Sequence, residues 1–137
     1  MGLLDRLLDL VRKRETPGLT ADAPGLAIVA EAFDPVVADS AVLAGSPGWV
    51  AAAPAVLRHH LLLPPDRLAE AASILARDGY DLREQGPDGE LVRVLAVRVQ
   101  VLDALHCAQE RSRMAGLAQR LGGDALGWDA QQPEPTA

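Results

Sequence analysis

Between Val56 and Asp129 the spacing of apolar positions changes in the order strand, helix, strand, strand, helix, strand. Val56 to Leu63 alternates: Leu57, His59, Leu61 and Leu63 take one side, expected to face helices, and Val56, Arg58, His60 and Leu62 take the other. Pro64-Pro65-Asp66 stops the strand and opens a helix. The buried stripe of that helix is Leu68, Ala71, Ala72, Leu75 and Ala76, and Gly79 stands where a left-handed C-terminal residue is common. Tyr80 to Glu84 predicts a second strand and Gly86-Pro87-Asp88-Gly89 a loop. Leu91 to Val101 is the longest strand pattern, apolar on both faces as a central strand is. Asp103 caps a second helix running to Leu121, Gly122-Gly123 ends it, and Leu126 to Ala130 predicts a short last strand.

That order over residues 55–130 predicts an α+β, ferredoxin-like βαββαβ sandwich, two helices on one face of a four-stranded antiparallel sheet. The open face is expected to mix Val56, Leu62, Val94 and Ala96 with Arg58, His60, Arg98 and Gln100. A face with that much aliphatic surface calls for a cover. Residues 1–54, a second subunit or a partner protein are the candidates. Residues 3–14 place Leu3, Leu7, Leu10 and Val11 on one helical face, an amphipathic helix that Thr16-Pro17-Gly18 breaks. Residues 26–55 read equally as strand or short helix, with Trp49 as a packing anchor, and residues 131–137 read as a frayed, disordered tail.

Composition narrows the function. The 137 residues are one domain's worth, enough to bury roughly 70% of the unfolded surface. The net charge of −6 opposes direct nucleic-acid binding, which needs clustered Lys and Arg, and favours a basic protein partner. One cysteine, Cys107, excludes an internal disulfide and any multi-cysteine metal site. With no secretory signal order and no apolar run of the roughly 20 residues that span a bilayer, a cytoplasmic protein without a transmembrane segment is expected.

No residue pattern dictates a chemistry, and neither a cofactor nor a metal is implied. His59 and His60 leave opposite faces of one strand and cannot chelate one ion together, and His106 is remote in sequence. Cys107 reads as a small buried hydrophobe. Neither GxxxxGK[ST] nor GxGxxG occurs. Glu84, Asp88, Glu90, Glu110, Asp124 and Asp129 read as a solvated acidic surface, suited to steering a basic partner. Trp128 reads as an anchor across the sheet.

The His59-His60 strand, the helix ending in Asp78-Gly79-Tyr80, and Gly122-Gly123 followed by Gly127-Trp128-Asp129 resemble the regulator of ribonuclease E activity B family over residues 55–130. Family members carry a Tyr-Asp pair where this chain has Ala125 and Leu126. The resemblance implies a ferredoxin-like, acidic, cytoplasmic protein that is not an enzyme and inhibits an RNase E-type endoribonuclease by binding it. Arg58, His60, Arg98, Asp124, Trp128 and Asp129 are the expected partner-binding residues. The alternative is a dimeric ferredoxin-like module that holds a small ligand on its open face. A small enzyme using His60 with Arg58 or Arg98 ranks behind both.

Overall fold

The computed structural model describes residues 18–134, so the amphipathic helix expected at residues 3–14 lies outside the described residues. The fold is α+β. Five strands, β1 (Leu26–Ala32), β2 (Pro54–Leu63), β3 (Asp81–Asp88), β4 (Leu91–Val101) and β5 (Asp124–Pro133), form one antiparallel sheet in the order β1-β5-β2-β4-β3. Helices α1 (Asp39–Ala44), α2 (Leu68–Ala76) and α3 (Ala104–Leu121) accompany it.

The helices pack on one face. Leu61 and Leu63 of β2 and Val92, Val94 and Ala96 of β4 meet Ala71 and Leu75 of α2 and Met114, Leu117 and Leu121 of α3. Toward the β1 side, Leu57 and Trp128 bury against Leu43 of α1 and Cys107 of α3, with Trp49 packed alongside. The alternation of β2 makes this possible, because Leu57, His59, Leu61 and Leu63 sit in the core while Arg58, His60 and Leu62 are only half-buried. Helix α3 is held at both ends. Asp103 accepts a hydrogen bond from the His106 amide at 2.8 Å, and Gly122 takes the left-handed conformation at φ 86°.

Residues 19–26 cross the opposite face. Asp22 reaches Arg83 on β3, Leu19, Ala21 and Leu26 pack on Val56, Leu95 and Val97, and the chain then enters β1 at the far edge.

Four expectations need correction. The sheet has five strands instead of four, because the ambiguous stretch before residue 55 contributes β1, which pairs with β5. Strand β3 continues through Gly86-Pro87-Asp88, expected as a loop, and a shift of register after Glu84 absorbs the extra residue. Gln131–Pro133 are the end of β5 and not a frayed tail, since β1 pairs with them. Val94 and Ala96 lie on the helix-covered face. The register sets Leu61 opposite Val94 and His59 opposite Ala96, and directly opposed residues share a face.

Candidate functional site

The same register divides the expected binding residues. Arg58 pairs across β5 with Asp129, and His60 sits two positions along β2 on the same face. Leu57 pairs with Arg98, so Arg98 and, two residues on, Gln100 belong to the helix side. Arg58 and Arg98 are therefore in separate clusters on opposite faces of the sheet.

On the face crossed by residues 19–26, Arg58 grips Asp129 with two parallel hydrogen bonds, Nε to Oδ1 at 2.7 Å and Nη2 to Oδ2 at 2.9 Å. His60 Nε2 donates to the same Oδ2 at 2.6 Å, and Phe33 stands edge-on to its ring with centroids 4.9 Å apart. Asp129 is 2% exposed. Burial, the largest influence on its carboxyl, pushes the pKa up, but the hydrogen bonds from His60 and Arg58 together outweigh it and hold the group below its ordinary value. His60 Nδ1 is buried without a partner among the described residues.

On the helix side, Glu110 of α3 is the centre. Its carboxylate accepts from Arg98 Nη2 and from Gln100 Nε2, the latter at 3.2 and 3.3 Å to the two oxygens. Arg98 also donates to Gln100 Oε1 and to the Asp78 carbonyl, each at 2.7 Å, and its guanidinium lies 4.2 Å over the Tyr80 ring. Burial again pushes the Glu110 pKa up, and the His59 ring, Arg98 and Gln100 more than offset it, so the net direction is down. His59 is 1% exposed, its Nε2 3.9 Å from Glu110, too long for a hydrogen bond. Burial lowers its pKa below 6.5 despite the neighbouring carboxylate. Both His59 Nε2 and the Tyr80 hydroxyl lack a hydrogen-bond partner among the described residues.

Trp128, expected to contact a partner, is fully buried and donates its indole N–H to Asp39 at 3.1 Å. Arg111 donates to the same oxygen at 2.8 Å. Asp124 is exposed at the start of β5, opposite Leu62, and joins neither cluster. Glu110 and Asp129, expected on the solvated acidic surface, are buried, because each meets an arginine that the linear sequence places remotely. Asp39, Tyr80 and Gln132 had no sequence signal for their buried polar roles. Gln132 is the clearest case: its amide accepts from Val50 N at 2.9 Å and donates to Val50 O at 3.0 Å, pinning the loop before β2.

Cys107 is buried, and burial raises its thiol to about 12, so it is no nucleophile at neutral pH. Among the described residues no three His, Cys, Asp or Glu side chains gather into a metal site, and no helix is long and apolar enough to cross a membrane.

One group of exposed acidic residues lies along a single margin of the sheet. Between Asp78 and Glu90 the chain holds Asp78, Asp81, Glu84, Asp88 and Glu90 against the single base Arg83. Asp81 and Asp22 pair with Arg83, whereas Glu84, Asp88 and Glu90 have no cationic partner among the described residues. This segment is strand β3 with its flanks, and β3 has β4 as its single strand neighbour in the described sheet.

A scan against protein-family models finds no match to this chain, and a search of curated proteins finds none either. The motif glycines and their neighbours nevertheless have visible work in this fold. Gly122 closes α3, Trp128 fills the core, Asp129 anchors Arg58, and Gly127 lies where an added Cβ would meet the Ala32 carbonyl at 2.3 Å.

Proposed function

We propose that this protein is a non-enzymatic binding regulator on a ferredoxin-like frame, and that it engages a basic, extended segment of a protein partner along the β3 margin. The order β5-β2-β4-β3, with α2 and α3 on one face, supports the ferredoxin-like part of this reading. The observation that carries the functional part is the concentration of exposed carboxylates on an edge strand. A strand without an outer neighbour offers backbone donors and acceptors to an added strand. The unpaired Glu84, Asp88 and Glu90 would select for Lys and Arg on that strand and speed its approach.

The resemblance to the regulator of ribonuclease E activity B family makes an RNase E-type endoribonuclease the partner to test. The experiment is RNA cleavage by such an enzyme, purified, with this protein titrated in at low and at moderate salt. Inhibition that weakens with salt, and that falls at least tenfold in a Glu84→Gln, Asp88→Asn, Glu90→Gln variant, is the expected result. Neither inhibition nor binding at an excess of the protein overturns the reading for this partner, and an unaffected triple variant removes the β3 margin from it.

A further inference from the structure

A largely apolar cavity of about 200 Å³ lies on the helix side of the sheet, between α3 and the start of β5. An apolar cavity of about 150 Å³ is enough to hold benzene, so this one has room for a single ring or a short branched chain. Met114 and Ala115 wall it from α3, Ala125 and Leu126 from β5, and the His59 ring from β2. The strand opens here by a bulge: His60 pairs with Gly127 and Leu61 with Ala125, which leaves Leu126 as an extra residue in β5. Arg111 is the charged group on the lining, and its guanidinium is already bonded to the Asp39 carboxylate and the Asp34 carbonyl. His59 is 1% exposed, and its Nε2 stands 3.9 Å from Glu110 with no hydrogen-bond partner among the described residues. Burial favours the neutral imidazole, and the nearby carboxylate favours the tautomer with its proton on Nε2. The other ring nitrogen then carries a lone pair.

We propose that this cavity binds a small neutral molecule with one hydroxyl or N–H donor on an apolar body, and that the donor bonds the His59 ring nitrogen turned away from Glu110. The bulge makes the room, and Met114, Ala115, Ala125 and Leu126 take the apolar body. An imidazole nitrogen without a proton can only accept, so the guest must donate. With Arg111 balanced by Asp39, no unmet charge on the lining calls for an anion. The site is built on β2, β5 and α3, away from the β3 margin, so its occupancy and the ribonuclease reading stand or fall separately.

The test is NMR of the full chain, following methyl groups and imidazole nitrogens, with phenol as the probe and toluene as its match without a donor. Phenol in the millimolar range should give saturable shifts confined to the methyls of Met114, Ala115, Ala125 and Leu126, and should move one ring nitrogen of His59. Toluene should move the same methyls and leave that nitrogen in place. His59→Phe keeps a ring and removes the acceptor, so it should weaken phenol about fivefold, the worth of one hydrogen bond, and toluene by no more than about twofold. Three results overturn the proposal: no saturable shift with phenol, shifts centred elsewhere on the protein, or a His59 nitrogen that responds to toluene as it does to phenol. Unchanged phenol binding in a folded His59→Phe also overturns it, and if that variant does not fold, the nitrogen shift in the wild type decides.

Discussion

His59 and His60 are neighbours in the chain, and the one-residue step between them crosses the sheet into a different kind of polar environment. His60 joins a closed unit, in which one buried carboxylate receives two hydrogen bonds from Arg58 and one from the imidazole. His59 joins an open one, in which Glu110 is held by Arg98 and Gln100 and the imidazole Nε2 meets nothing within bonding distance among the described residues. The closed unit ties β2 to β5 at a fixed register, because a slip by one residue would send Asp129 to the face opposite Arg58. The open unit ties α3 to β4 and leaves polar atoms unmet beside a cleft. Each unit leaves one imidazole nitrogen, His60 Nδ1 and His59 Nε2, without a partner among the described residues, so the difference lies in how the carboxylate is held.

The largest effect expected on either face belongs to Trp128, which is fully buried on the helix side. Its replacement by Ala should cost about 3 to 5 kcal/mol in urea unfolding. The direct comparison of the two units comes next. Asp129→Asn should cost about 3 kcal/mol, because the buried Asp129 position no longer supplies the anion that the half-buried Arg58 needs. Glu110→Gln should cost about 1 kcal/mol, since Arg98 keeps Gln100 and the Asp78 carbonyl. Equal losses would erase the distinction between closed and open.

A pH series separates the faces further. The folded pKa of His59 lies below its ordinary 6.5, so on acidification the unfolded chain takes up that proton first, and stability begins to fall as the pH drops through 6.5. Asp129 and Glu110 also lie below their ordinary values of 3.8 and 4.5, so their contribution is intact above those values and is lost as the pH falls further. Unfolding of the wild type should thus show two successive declines, and His59→Phe should remove the one that starts at the higher pH. A wild-type decline that starts only near 4.5 would mean that His59 is not held neutral by burial. The smallest effect concerns Cys107, which should resist iodoacetamide at pH 8 in the native protein and react once urea unfolds it, followed by mass spectrometry.

Much of this architecture was legible from local pattern. The alternation of β2 placed Leu57, His59, Leu61 and Leu63 toward the helices, and Asp103 and Gly122 marked the ends of α3. The face of β4 was not, because a central strand is apolar on both sides and its parity is set by the partner strand. That single ambiguity placed Arg98 and Gln100 with Arg58 and His60. Glu110 was illegible for a related reason: a glutamate on a long polar helix is ordinary until an arginine from a strand arrives beneath it. Strand β1 is short enough to fit either period, and the polar end of β5 becomes strand only because β1 pairs with it.

The pairing of β1 with β5 also has a meaning in time. Ala32 lies opposite Trp128 and Leu26 opposite Pro133, so the two strands stand about a hundred residues apart in the chain. Synthesis at about 5 to 20 residues per second delivers β1 roughly 5 to 20 seconds before its mate. Through that interval β1 lacks its one strand neighbour among the described residues, and β5 then completes the described sheet on both of its sides, against β1 and against β2. A ribosome stalled before Asp124 would therefore carry most of the described core residues already synthesised, with β1 still waiting for β5.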